Sequence, residues 1–134
     1  MYFYAYVSSN SITVNSGNSV PFNILALYSD NSVFSASTSV FTAPANGTYL
    51  FRTGLTTHNN MHVHASIVAK GETVASLYGY DDYSAKQSSA SAIVRLQTGD
   101  EVKVVQKTPG SVQIYGYYSS DTPRESYFMG LLLW

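Results

Sequence analysis

Residues 41–51, Phe41-Thr42-Ala43-Pro44-Ala45-Asn46-Gly47-Thr48-Tyr49-Leu50-Phe51, place a turn signal directly before an aromatic strand. Pro44 pre-sets the backbone of a turn, and the pair Asn46-Gly47 tolerates positive φ. Tyr49 and Phe51 are separated by one residue, so their side chains point to the same face of an extended segment. The stretch therefore predicts a turn that leads into a buried β-strand.

The composition points to one globular domain with a weakly charged surface. The chain has 134 residues and no cysteine, and this length can bury a core without disulfides. Charged residues make up 11% of the chain, so the surface must consist largely of Ser, Thr, Asn, Gln and Tyr. We therefore predict a single domain over residues 1–134.

The charge and hydropathy patterns argue against two classes of function. Lys and Arg residues are scattered and the formal net charge is -1. The chain therefore has no cluster of positive charge that would attract the phosphate backbone of a nucleic acid. No apolar run approaches the roughly 20 residues that span a bilayer. Residues 1–4 do not resemble a signal sequence, so we expect a protein that is not secreted or whose signal has been removed. We expect neither nucleic-acid binding nor membrane insertion.

Short extended runs separated by turn residues dominate the chain, and no window shows a convincing helical period. Residues 131–134 are apolar without alternation, so both faces need a cover, and a neighbouring subunit is a natural second cover. Strands are predicted at residues 2–7, 19–28, 33–35, 47–57, 62–70, 73–78, 88–97, 101–107, 111–117 and 127–133. This spacing predicts an all-β sandwich or jelly roll.

Further motifs flank residues 41–51 in a fixed order. They are Phe3-Tyr4-Ala5-Tyr6, Val20-Pro21-Phe22-Asn23, Leu96-Gln97-Thr98-Gly99-Asp100-Glu101-Val102 and Phe128-Met129-Gly130-Leu131-Leu132. Together with residues 41–51, they resemble the globular-head domain of the complement C1q family, part of the C1q/tumour necrosis factor superfamily. A single aromatic motif would be weak evidence, whereas several in this order over nearly the whole chain are specific.

The resemblance implies a ten-stranded jelly roll that assembles as a compact homotrimer. Tyr49, Phe51, Phe128 and Leu132 would be core or interface residues in that fold. Gly130, in the closing strand, indicates the close approach of another backbone. Because the sequence contains no Gly-X-Y repeat, it resembles the stalkless type of C1q-domain protein.

The sequence offers two candidate metal sites. His62 and His64 share one strand face and can ligate Zn²⁺ or Ni²⁺ if a third ligand comes from elsewhere, although the pattern also fits an ordinary polar face. Asp81 and Asp82 lie in a loop that resembles the one where calcium-binding C1q heads place their first Asp. Lys86 stands where those members carry an acid, so we expect at most weak binding of calcium as a cofactor, through Asp81 and Asp82.

The sequence contains few candidates for catalytic residues. The sequence has no Gly-x-Ser-x-Gly elbow, no His-Glu-x-x-His helix and no phosphate-cradling glycine loop. The acidic residues outside the Asp pair fall at turns, where solvated charge is the ordinary explanation. We therefore expect no enzymatic activity.

The twelve tyrosines exceed what a core of this size needs. Aromatic faces stack on sugar C–H surfaces, and Asp and Tyr side chains hydrogen-bond sugar hydroxyls; the same features form protein–protein hot spots. Burial of the tyrosines in a trimer interface is an equally good explanation. The predicted ligand-binding residues fall in two loop regions, namely Tyr80, Asp81, Asp82 and Tyr83 in the first and Tyr115, Tyr117 and Tyr118 in the second.

Two functions fit these observations. The first is a secreted, trimeric, lectin-like recognition domain, which binds glycans or other microbial surface patterns in innate immunity and gains affinity by avidity. The second is a ligand or organiser that binds a protein receptor, as cytokine-like and synaptic relatives do. In either case we expect an extracellular protein whose partners are copies of itself and a surface ligand.

Overall fold

The computed structural model describes residues 1–58, 61–80, 86–117 and 123–134. Every regular element within these ranges is a β-strand, which confirms the predicted all-β fold class. The strands are β1 (Tyr2–Tyr6), β2 (Ser11–Asn15), β3 (Ile24–Tyr28), β4 (Phe34–Ser35), β5 (Val40–Thr42), β6 (Gly47–Thr57), β7 (His62–Ala69), β8 (Glu72–Tyr80), β9 (Lys86–Leu96), β10 (Glu101–Gln106), β11 (Ser111–Tyr115) and β12 (Tyr127–Leu132). The described residues include no helix long and apolar enough to cross a membrane.

Two antiparallel sheets make up a jelly-roll sandwich. In the seven-stranded sheet the order is β2-β11-β6-β12-β1-β3, and β9 pairs with the other edge of β6. The five-stranded sheet has the order β4-β5-β10-β7-β8. The long strand β6 organises the first sheet, because β9 pairs along its whole length while β12 and β11 share its opposite edge.

Aromatic rings from both sheets fill the core between them. Phe3 on β1 stacks on Phe34 of β4 with ring centroids 4.9 Å apart, and it meets Phe128 of β12 edge-on at 5.2 Å. Tyr49 is fully buried, and its hydroxyl donates a hydrogen bond of 2.6 Å to the Ala45 carbonyl. Because this polar tip has a partner, the ring can lie inside the core without an unsatisfied group.

Gly130 lies inside the core. A Cβ at this position would stand 2.7 Å from ring carbons of both Phe3 and Phe51. The expectation that another backbone approaches Gly130 was therefore wrong, because two aromatic rings occupy that space. Phe51 is fully buried and Leu132 packs against the core, in agreement with the sequence prediction for these two residues.

The described residues hold two strands more than the ten predicted, β2 and β5. Both are short and lie among Ser, Thr, Asn and Ala residues, which weakens their strand signal. They form because neighbours supply a ladder: β2 pairs with β11 along its full length, and β5 pairs with both β4 and β10. Such pairing is tertiary information that a single sequence does not display.

The strand predicted at residues 19–28 begins only at Ile24. Pro21 has no amide hydrogen to donate to a ladder, so it interrupts regular pairing. Ahead of it, the Val20 amide donates a hydrogen bond of 2.8 Å to the Val104 carbonyl on β10. The chain therefore runs beside the five-stranded sheet before β3 joins the seven-stranded one.

Candidate binding surfaces

The outer face of strands β7 and β8 carries four rings that we call the His/Tyr surface, namely His62, His64, Tyr78 and Tyr80. Val63 and Leu77, which alternate with these residues along the strands, are buried, so the four rings point away from the core. The antiparallel register places His62 beside Tyr80 and His64 beside Tyr78. The two strands thus bring together four side chains that are separated in the sequence.

The four rings of the His/Tyr surface contact one another while remaining open to solvent. The His62 ring centroid lies 4.5 Å from that of Tyr80 and 6.1 Å from that of Tyr78. His62 Nδ1 and the Tyr78 hydroxyl are 3.0 Å apart and share a hydrogen bond, which orders the Tyr78 ring. Tyr78 is 68% exposed and Tyr80 43% exposed. The faces of both tyrosines are therefore available to a ligand.

Gly79 lies where strand β8, which carries Tyr78 and Tyr80, packs against strand β9 at the edge of the other sheet. A Cβ on Gly79 would overlap Ser88 Oγ on β9 and would lie 3.0 Å from Ser88 Cβ. Glycine at this position lets β8 pack closely on β9, which closes one side of the sandwich. Tyr78 and Tyr80 both lie on strand β8, so the prediction that Tyr80 lies in a loop is wrong.

A further contact fixes the β7 side of the His/Tyr surface. The His64 amide donates a hydrogen bond of 2.8 Å to Thr108 Oγ1, and the Lys107 amide donates one of 2.7 Å to the His64 carbonyl. The backbone under His64 is thus tied to the segment that follows β10. The surface combines stacking faces with ring nitrogens and hydroxyls, which suits a sugar or an interfacial side chain.

The second predicted aromatic set lies on the other sheet. Tyr115 pairs with Thr56 on the seven-stranded sheet, and its ring centroid lies 4.4 Å from that of the buried His58. Tyr117 is half-buried, and its carbonyl accepts a hydrogen bond of 2.9 Å from Asn10 Nδ2. Because Ile114 is buried, Tyr115 faces outward from that sheet.

Tyr80 and Tyr115 lie at the same end of the sandwich, because β7 begins near the point where β6 ends. They occupy the outer faces of different sheets, so these two rings do not share a single surface within one subunit. The remaining members of the predicted ligand set, Asp81, Asp82, Tyr83 and Tyr118, lie outside the described residues.

The described residues contain no group of three His, Cys, Asp or Glu side chains that could hold a metal ion. His62 and His64 share a strand face as predicted, but their ring neighbours within these ranges are tyrosines. Asp81 and Asp82, the predicted calcium ligands, fall in the part of the chain that the structure does not describe. The calcium site therefore stays a prediction.

A second exposed surface covers the outside of the seven-stranded sheet, and we call it the apolar sheet face. Its members pair across β3, β1, β12, β6 and β9, and they are Leu27, Tyr2, Tyr4, Met129, Leu131, Leu50 and Ile93. Ile93 on the edge strand β9 is 67% exposed and Leu27 on the edge strand β3 is 58% exposed, so two large aliphatic side chains lie open to solvent at the margins of this face. The sequence predicted a second cover for residues 131–134, which include Leu131, but it did not predict that the face extends over five strands.

Tyr4, a member of the apolar sheet face, contacts Tyr127, which in turn is hydrogen-bonded to an arginine. Tyr4 stacks on Tyr127 with ring centroids 5.6 Å apart, and Arg52 Nε donates a hydrogen bond of 3.0 Å to the Tyr127 hydroxyl. Burial, reinforced by Tyr127, raises the pKa of the Tyr4 hydroxyl above its ordinary value, while Arg124 opposes the shift. The hydroxyl of Tyr4 therefore keeps its proton to a higher pH than an ordinary tyrosine does.

Comparisons with known proteins agree with this architecture. The family model of the C1q domain matches residues 2–133 of the chain. No curated protein sequence matches significantly. Among solved structures, the globular domain of zebrafish complement 1qA protein superposes with a TM-score of 0.77 at 17% identity, covering 99% of this chain and 97% of that one.

Two structures of tumour necrosis factor type share the same fold. Eiger TNF from S. frugiperda gives a TM-score of 0.80 at 13% identity, covering 100% of this chain and 92% of that chain. Murine APRIL gives 0.67 at 12% identity, with 98% of each chain covered. At these identities the likeness concerns the fold alone.

Proposed function

Because the chain belongs to the C1q domain family, we propose that it is a homotrimeric, extracellular recognition domain that binds glycans through the His/Tyr surface. C1q-domain proteins act as recognition or ligand domains, and such a role needs no catalytic group. The observation that carries the proposal is the exposure of Tyr78 and Tyr80 beside two histidines on the outer face of a sheet.

The chemistry of the His/Tyr surface favours a sugar. Exposed tyrosine faces stack on the C–H side of a pyranose, and the hydrogen-bonded pair of His62 and Tyr78 offers polar atoms at the ring edges. The chain has few charges, so recognition depends on stacking and neutral hydrogen bonds more than on ion pairs. Each such site binds weakly on its own.

The apolar sheet face supports the homotrimer. Leaving Ile93, Leu27 and their neighbours in water is unfavourable, and burying them against other copies of the chain removes that cost. The His/Tyr surface lies on the opposite sheet, so it stays open when the apolar sheet face is covered. Three copies of a weak site on one rigid head raise the effective affinity for a repeating target, such as a microbial surface.

A protein-receptor ligand is the alternative function. Tyrosine is enriched at the energetic centres of protein–protein interfaces, so the exposed rings of Tyr78 and Tyr80 also suit a receptor contact. The family relationship accommodates both functions. The two differ in whether isolated glycans bind to the protein at all.

A glycan array tests the proposal. We expect the parent protein to bind a defined set of glycans, and we expect Tyr78→Ala and Tyr80→Ala to lose that signal. Tyr28→Ala is the matched control, since Tyr28 is 46% exposed but lies on the other sheet. Absence of any glycan binding by the parent protein would favour the receptor alternative.

A further inference from the structure

A cavity opens at the end of the sandwich farthest from the His/Tyr surface. Its volume is about 670 Å³, within the usual range of small-ligand pockets. Polar and aromatic residues from several connections line it, among them Asn46, Lys70, Arg95, Gln97, Asp100 and Trp134. The cavity is separate from the predicted ligand residues, because Lys70 follows β7 while the His/Tyr surface lies at its start.

Hydrogen bonds within the rim hold these connections in place and occupy acceptor atoms. Asn46 Oδ1 accepts hydrogen bonds from the Thr98 amide at 2.8 Å and from its hydroxyl at 3.2 Å. Asp100 Oδ2 accepts one of 2.8 Å from the Gln97 amide. The Asn46 amide nitrogen retains its donors, so the rim offers more donors than acceptors to a ligand.

Two cationic side chains and one carboxylate side chain line this cavity. Lys70 adopts φ 55° in the turn between β7 and β8, and its ammonium donates a hydrogen bond of 3.4 Å to the Arg95 carbonyl. Arg95 is exposed, and none of the described carboxylates forms an ion pair with it. Among the side chains that line the cavity, the two cations Lys70 and Arg95 therefore outnumber the one carboxylate, Asp100.

We propose that this cavity binds a small ligand that carries an oxyanion, either a carboxylate or a sulfate ester, on a compact polar body such as an acidic sugar. A guanidinium matches the geometry of both oxyanions, and an ammonium adds a second charge-assisted hydrogen bond. Asn46 and Gln97 supply amide groups for neutral hydroxyls, and Trp134 supplies a ring that is 73% exposed. This inference goes beyond the His/Tyr surface and does not depend on it.

The test is a calorimetric titration of the whole protein with three probes, namely glucuronate, glucose 6-sulfate and glucose. We expect the two acidic sugars to bind and glucose to bind far more weakly, because only the acids meet Lys70 and Arg95. Preference for glucuronate would identify a carboxylate ligand, and preference for glucose 6-sulfate would identify a sulfate ester. Equal binding of all three probes, or no binding of either acid, would overturn the proposal.

Charge-removing variants locate the site. Lys70→Gln and Arg95→Gln should each weaken binding of the preferred acid about ten-fold or more. Lys107→Gln is the matched control, because Lys107 is exposed but lies near His64. Unchanged binding in both cavity variants would contradict the assignment. Thermal unfolding confirms that each variant is folded, and retained glycan-array binding by these variants separates this test from that of the His/Tyr surface.

Discussion

Phe41 and Phe51 meet edge to face between the two sheets, with ring centroids 5.1 Å apart and planes inclined at 66°. Phe41 lies on β5 of the five-stranded sheet and Phe51 on β6 of the seven-stranded sheet. The turn through residues 43–46 therefore takes the chain from the five-stranded sheet to the seven-stranded sheet. The Phe51 ring that follows the turn packs against the Phe41 ring that precedes it. This short stretch builds the contact that defines the sandwich.

Removal of the Phe41 ring should be costly. We expect Phe41→Ala to lower the free energy of unfolding by about 3–5 kcal/mol, because the fully buried ring leaves a cavity among other aromatic rings. Urea denaturation at a fixed protein concentration measures this change. Val74→Ala on the exposed part of β8 is the control and should cost less than about 1 kcal/mol. Equal losses in the two variants would contradict the assigned core.

Gly79 should be sensitive to a single added methyl group. Gly79→Ala drives its Cβ into Ser88 Oγ and should destabilise the fold by about 1–3 kcal/mol. Adding Ser88→Gly removes the overlapping atoms, so the double variant should recover much of the stability that Gly79→Ala loses. A double-mutant cycle by denaturation measures the coupling. Strictly additive losses would show that the two strands do not approach as described.

The apolar sheet face should control assembly. We expect Ile93→Asp to convert the proposed homotrimer into monomers, because a buried unpaired carboxylate at that contact is strongly unfavourable. Light scattering coupled to size-exclusion chromatography measures the mass. Val74→Asp places the same charge on the other sheet and should leave the trimer intact. A parent protein that is itself monomeric would contradict the proposed assembly.

Tyr4 should make the fold sensitive to alkali. Its pKa in the folded protein is raised above the ordinary value of 10.0, mainly by burial. The unfolded chain therefore loses the proton first as pH rises, and its contribution to stability is retained below pH 10 and lost as pH climbs through the folded-state pKa. Urea denaturation from pH 8 to 11 should show a steeper decline for the parent protein than for Tyr4→Phe. Identical slopes would contradict the raised pKa.

The sequence predicted the fold from local signals. The turn before Tyr49 and the alternation of Tyr49 and Phe51 are visible within a few residues, so their burial could be foreseen. Strand β2 could not be predicted, because its ladder with β11 joins segments that are distant in the sequence. Gly130 was recognised as a crowded position, but its neighbours are rings from other strands, which only the packing reveals.

The binding surfaces depend more on long-range register. Tyr80 and the pair of His62 and His64 were singled out separately, as a ligand residue and a metal pair. Only the β7–β8 register shows that they form one group and that Tyr78 belongs to it. The apolar sheet face likewise combines residues from five strands, so no single segment displays it.

The most direct test of the glycan-binding proposal is a calorimetric titration of one array-positive glycan into the parent protein and into Tyr80→Ala, with the trimer mass checked in both. We predict a loss of about 1–3 kcal/mol in binding free energy for the variant, the size expected for one stacked ring with its hydrogen bond, and an unchanged trimer. Equal affinity of the parent protein, Tyr80→Ala and Tyr78→Ala would contradict the claim that the His/Tyr surface recognises glycans.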